Sequence, residues 1–143
     1  MVTDRKKEIF KLSNGKFIAP QLIENIFKES PVIDQIMVIG EHEKFASALI
    51  SPNFKYFEDW KTTKKVSFIN NEELIQLPQV QSFFSAEITK LNKRLSPTER
   101  INRFRLVKDE WSAETGELSP SLKLRRHFIN EKYRSVVEQV YMR

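Results

Sequence analysis

Apolar positions along this chain switch repeatedly between short β-prone runs and recurrence at three or four residues, the pattern of strands alternating with helices. Ile9 to Leu12 and Lys16 to Ile18 flank Ser13-Asn14-Gly15, and Asn-Gly between two such runs predicts a tight hairpin over 9–18. Pro20 suits the first turn of a helix that carries Leu22, Ile23, Ile26 and Phe27 on one face, with Pro31 beyond its end. The continuous apolar run Ile36 to Ile39 and the β-prone Phe45 to Ile50, separated by Gly40-Glu41-His42-Glu43-Lys44, predict an antiparallel pair. Asn53 then caps a helix that turns Phe54, Phe57 and Trp60 or Lys61 to one side.

The second half changes character. Val80, Phe84, Ile88, Leu91 and Leu95 recur at helical spacing, which predicts a helical insert over about 70–100. Ser96-Pro97-Thr98-Glu99 reads as a capping box opening another short turn. Phe104, Leu106 and Lys108 alternate with Arg103, Arg105 and Val107 as in a strand. A loop punctuated by Thr115-Gly116 and Ser119-Pro120 leads to one closing helix with Ile129, Tyr133, Val136, Val137 and Val140 on a stripe. The predicted class is α+β: a small, mostly antiparallel sheet plus an N-terminal β-hairpin, flanked by helices.

Composition narrows the chemistry. At 143 residues, 40% hydrophobic and 30% charged, the chain fits one domain with a modest core. The charged start and the absence of a long apolar run predict a cytoplasmic protein. With no cysteine and only His42 and His127, thiolate nucleophiles are excluded and no metal site is expected. A net charge of +5 draws the chain toward phosphates, with basic clusters at Arg5-Lys6-Lys7, Lys61 to Lys65, Lys90 to Arg94 and Lys123 to Arg126. That keeps a nucleic-acid-binding module open, although no stripe of interleaved basic and aromatic residues accompanies the charge.

Two segments are not explained by packing. Asp4 to Pro20 crowds charge around the hairpin and ends in Ala-Pro before a helix. Thr115-Gly116-Glu117-Leu118-Ser119-Pro120-Ser121-Leu122-Lys123-Leu124-Arg125-Arg126 sets a lysine in a turn-rich loop, where a donor that must reach another domain would sit. On residues alone, Lys123 is one more solvated base beside Arg125 and Arg126.

The first segment resembles the hinge-and-hairpin motif of the adenylate-forming superfamily, which includes acyl-CoA synthetases, luciferases and peptide-synthetase adenylation domains. The second resembles its C-terminal lysine motif. Asp-Arg-Lys-Lys-Glu, Ser-Asn-Gly-Lys and Ser-Pro-Ser-Leu-Lys are most similar to the long-chain fatty acid–CoA ligases. Most other branches place glycine immediately before the lysine; Leu122 stands there in this chain, as in the long-chain branch, which also carries a longer helical insert. The resemblance spans essentially the whole chain.

It implies a mobile C-terminal domain with the hinge near 4–8, the hairpin over 9–18 and the lysine loop over 115–126. Lys123 matches the lysine that serves acyl-adenylate formation, Lys7 the hinge, and Arg5 the arginine at the nucleotide ribose. Ser13, Asn14 and Gly15 match the loop lining the coenzyme A tunnel. Lys11 has two readings, an approach to the adenylate after rotation or an exposed place on the strand. ATP with magnesium and coenzyme A would be used by the complete enzyme, with none bound by this piece alone. Its partners would be an N-terminal adenylation domain of the same polypeptide and a fatty acid, with no nucleic acid, and peripheral membrane association of the whole enzyme stays open. Only three glycines and no Gly/Ser/Thr-rich phosphate loop are present, and the chain opens almost at the hinge. It is therefore expected to be a truncated piece, inactive alone. A non-catalytic scaffold of the same fold remains the other alternative.

Overall fold

A computed structural model describes residues 8–142. The Asn-Gly signal is realised as a hairpin in which β1 (Phe10–Lys11) pairs antiparallel with β2 (Phe17–Ile18). Pro20 then starts α1 (Pro20–Phe27). The main sheet has the order β3-β4-β5. β3 (Ile33–Ile39) runs antiparallel to β4 (Ala46–Pro52), and β5 (Ile101–Leu106) lies parallel to β4. The chain is thus α+β, as its pattern predicts, with this one parallel pairing. A parallel return needs a long crossover, and three helices supply it: α2 (Phe54–Lys64), α3 (Asn71–Gln76) and α4 (Pro78–Asn92). The last elements are α5 (Arg126–Lys132) and α6 (Arg134–Val140).

The strand patterns explain the layering. Ile36, Val38, Ala48 and Ile50 share one core with Ile23, Phe27, Phe57, Val80, Phe84 and Ile88, so α1 and the crossover helices cover that face. Met37, Ile39 and Leu49 belong to a second core with Trp111, Leu118, Ile129, Tyr133 and Val140 on the other face. Burial on both faces is why Ile36 to Ile39 is continuously apolar rather than alternating. All seven residues of β4 are buried, as the central strand requires.

Local chemistry sets the element ends. The Asn53 side chain accepts a hydrogen bond from the Tyr56 N–H at 3.2 Å, capping α2 as predicted. Pro78 separates α3 from α4 and takes the first turn of α4, so the helical segment from Asn70 is two helices. Ser96 to Glu99 forms one turn, with Glu99 N–H donating to Ser96 O at 2.9 Å, and β5 follows directly.

Three expectations shift. On α1 the buried residues are Pro20, Ile23, Glu24 and Phe27, while Leu22 is 53% exposed. The buried stripe therefore includes a carboxylate, which the apolar pattern could not show. Past β5, Val107 enters the second core and Lys108 is exposed, because the strand has already ended at Leu106. The closing helix bends at Tyr133, whose hydroxyl donates to Asp109 Oδ2 at 2.6 Å and accepts from Trp111 Nε1 at 3.0 Å. Tyr133 N–H to Ile129 O and Val137 N–H to Tyr133 O, both 2.9 Å, carry the helical hydrogen bonds across the bend.

Candidate functional site

Lys123 sits on a loop that the sequence builds as a miniature hairpin. Leu118 and Leu124 form an antiparallel bridge, and Ser119 N–H donates to Lys123 O at 2.8 Å. Between them Ser119-Pro120-Ser121-Leu122 closes a turn, with Leu122 N–H donating to Ser119 O at 2.8 Å and the Ser119 hydroxyl accepting from Lys123 N–H at 3.1 Å. Serine first and proline second are ordinary turn chemistry. Leu122, the last residue of this three-residue loop, has φ +66°. A hairpin loop of this length commonly ends in a left-handed residue, and glycine is its unstrained occupant.

The loop rests on Glu117, which is 0% exposed. Its carboxylate accepts from Lys132 Nζ, from the Thr115 hydroxyl and, at 3.3 Å, from Ser112 N–H. Burial pushes this carboxyl up, but those hydrogen bonds outweigh it and hold the group below the usual glutamate range. Just before it, Gly116 has φ +99°, and a Cβ there would stand 2.7 Å from the Phe128 ring. Only glycine satisfies both constraints.

The far end of the loop is held by Arg126, the first residue of α5. Its two terminal nitrogens donate to the two oxygens of Glu24, both at 2.7 Å, and its Nε donates to Glu8. Glu24 is 4% exposed and also accepts from Val38 N–H at 2.8 Å, so it satisfies an edge donor of β3. Burial raises its pKa; the Arg126 fork and the Val38 N–H oppose that rise. One guanidinium thereby joins the start of the described chain, α1 and the base of the lysine loop.

Between these anchors, Lys123 is exposed and lines an open groove of about 370 Å³ with Gln21, Glu24, Asn25, Lys28 and Leu122. Its ammonium has no ion-pair partner among the described residues. A hydrogen-bonded loop that presents such a cation is suited to delivering charge to an external anion. The groove includes none of Lys11, Ser13, Asn14 or Gly15.

Those four residues occupy the N-terminal hairpin. Gly15 has φ +88° with nothing within 4 Å of a notional Cβ, so the backbone at the tip is open to close approach. Asn14 Oδ1 accepts from Lys16 N–H at 3.0 Å, while Ser13 N–H donates to Glu43 O and His42 N–H to Lys11 O, both at 2.9 Å. The hairpin is thus pinned to the β3–β4 connection. Lys11 is exposed, with Nζ 5.6 Å from the centre of the Phe17 ring. Arg5 and Lys7 lie outside the described residues.

The profile of the AMP-binding enzyme C-terminal domain matches residues 7–143. The chain belongs to that family. Curated relatives include the long-chain-fatty-acid–CoA ligase FadD15 of Mycobacterium tuberculosis, 33% identical over 141 residues and covering 98% of this chain but 24% of the relative. Long-chain-fatty-acid–CoA ligase 1 of Homo sapiens is 32% identical over 144 residues, covering 98% of this chain and 20% of the relative. This chain therefore spans a quarter or less of the length of these ligases. Among solved structures, the A domain of carboxylic acid reductase from Segniliparus rugosus, in complex with AMP and a co-purified carboxylic acid, has a TM-score of 0.76 at 24% identity. It matches 96% of this chain and 20% of that one, and it supports the fold.

Within this AMP-binding C-terminal domain, Glu117, Lys132, Glu24, Arg126 and Glu8 hold the candidate site, and none of them stands out from the motifs. Glu24 gave no sequence signal either, because its burial beside Pro20, Ile23 and Phe27, and hence its need for a cation, emerges only in the fold. Among the described residues no group of three or more His, Asp or Glu could hold a metal ion. Nor is any described helix long and apolar enough to cross a membrane.

Proposed function

We propose that this chain is the mobile C-terminal domain of an AMP-forming long-chain fatty acid–CoA ligase, with Lys123 as its adenylation lysine and the hairpin as its coenzyme A face. The observation that carries the reading is Lys123 itself: an ammonium with no ion-pair partner among the described residues, on a loop fixed at both ends, in a family named for AMP binding. In the first half-reaction a fatty carboxylate oxygen bonds to the α-phosphorus of ATP and the bond to pyrophosphate breaks. Two anions must meet, and the lysine offsets their repulsion. In the second, the thiol of coenzyme A attacks the acyl carbon and AMP leaves. The exposed tip at Ser13, Asn14 and Gly15 suits the passage of a pantetheine arm, with Lys11 beside it, while Arg5 would meet the ribose.

Ion pairing favours this reading over nucleic-acid binding. Lys61 pairs with Glu58, Lys90 with Glu87, Arg94 with Glu29 and Arg126 with Glu24, so part of the clustered positive charge already has carboxylate partners. The test is to assay the complete polypeptide for ATP-dependent long-chain acyl-CoA formation with release of AMP, and to titrate the 143-residue chain alone with ATP in a calorimeter. Acyl-CoA from the former and no micromolar ATP binding by the latter are expected. Failure of the complete polypeptide to form acyl-CoA would refute the assignment.

The hinge assignment has its own test. Proline fixes φ and removes a backbone donor, so Lys7→Pro in the complete polypeptide should leave pyrophosphate exchange close to wild type and depress acyl-CoA release at least about tenfold. Both activities near wild type would remove Lys7 from the hinge.

A further inference from the structure

Leu122 bears two costs that little in the described domain offsets. Its backbone is left-handed, at φ +66°, where a Cβ crowds the carbonyl; glycine has none, and asparagine offsets the cost through local side-chain hydrogen bonds, which leucine cannot do. The residue is 66% exposed, so packing among the described residues offsets little of the strain. The turn would close equally well with glycine, since its hydrogen bonds run through the Ser119 carbonyl and hydroxyl and the Lys123 backbone. Strain with little local compensation is a feature of contacts completed elsewhere.

The geometry points to Leu122 as a positioning residue: we propose that its side chain seats on an apolar wall of the N-terminal adenylation domain when Lys123 enters the adenylation site. This rests on the role proposed for Lys123. Leu122 is next to Lys123 in the chain, with adjacent Cα atoms about 3.8 Å apart. When the ammonium reaches the reacting carboxylate, the leucine remains a lysine side chain's length behind. It therefore meets the wall through which the lysine passes rather than the reacting atoms. Length supports a protein occupant: the ligases this chain resembles carry three quarters or more of their residues outside the matched segment. An exposed leucine immediately beside an ammonium that lacks an ion-pair partner among the described residues also gives the loop an apolar contact and a charge, which suit a dry surface bordering an anionic site.

The test uses the complete polypeptide with Leu122→Gly, Leu122→Asn and Leu122→Met, and Lys123→Ala as control. Glycine removes the strain and asparagine lessens its cost, and both remove the apolar contact; methionine keeps the contact. Loss of most of a leucine's burial corresponds to about a tenfold fall in the rate of adenylate formation for the first two. Thioester formation from preformed acyl-adenylate should stay within about twofold, thermal stability should be unchanged or higher, and Leu122→Met should keep most of the activity. Full adenylation activity in Leu122→Gly beside a Lys123→Ala variant that has lost it overturns this inference and leaves the lysine assignment standing. An active Lys123→Ala variant overturns the lysine assignment itself. Equal loss in both half-reactions with lowered stability would make Leu122 merely structural, and a loss that varies with acyl-chain length would place it against substrate; either result refutes the contact with the domain wall.

Discussion

Lys123→Ala in the complete polypeptide is expected to slow acyl-adenylate formation by about 100- to 1,000-fold, the usual cost of removing one preorganised electrostatic donor. Thioester formation from preformed acyl-adenylate and coenzyme A should stay within about twofold. The asymmetry follows from where charge meets charge. Carboxylate and triphosphate repel in the first step, whereas the second begins from an acyl-adenylate whose two anions are already joined. The loop should survive the substitution, because its closure uses the Lys123 backbone and not its ammonium. Lys123→Arg tests geometry at constant charge. A planar guanidinium on a different stem is a poor substitute for a compact ammonium, so only partial recovery is expected. Pyrophosphate exchange and single-turnover thioester formation separate the half-reactions, and equal losses in both would remove the adenylation role from Lys123.

The residues that build this domain and its site differ in how visible they are in the sequence. The hairpin is legible because Asn14-Gly15 is a local signal needing no partner, and its register follows from the turn. The continuous apolar run Ile36 to Ile39 announces a strand; that both its faces are covered emerges only once α5 and α6 return to the sheet. The lysine loop is visible as punctuation, but its support is not. Glu117 looks like one more loop carboxylate until Lys132, fifteen residues on, is folded against it. Glu24 and Arg126, 102 residues apart, meet only through tertiary structure, and no helical periodicity of α1 distinguishes a buried glutamate from an exposed one. The parallel pairing of β5 with β4 is likewise set by the crossover and not by anything local to either strand.

The Glu24–Arg126 pair carries the largest expected stability effect. Arg126→Ala should destabilise the 143-residue chain by about 3 kcal/mol near neutral pH, because it leaves a buried carboxylate with Val38 N–H as its remaining hydrogen-bond donor. The pH dependence identifies the cause. Burial already raises the Glu24 pKa above its ordinary 4.5, and Arg126 is the main opposing influence, so its removal raises the folded-state value further. A carboxyl whose folded pKa exceeds the unfolded one binds protons more tightly when folded. Its penalty is absent below the unfolded pKa and grows as pH rises toward the folded one. The deficit of Arg126→Ala relative to wild type should therefore shrink on acidification. Adding Glu24→Gln replaces the charge with a neutral group that still accepts from Val38 N–H, so the double variant should regain much of the lost stability at pH 7 and lose this pH dependence. Urea titrations of the three proteins at the two pH values read all of this directly. A deficit that is the same at both pH values, or undiminished by Glu24→Gln, would mean that Arg126 stabilises the fold through its packing and its bond to Glu8, with no buried charge for it to neutralise.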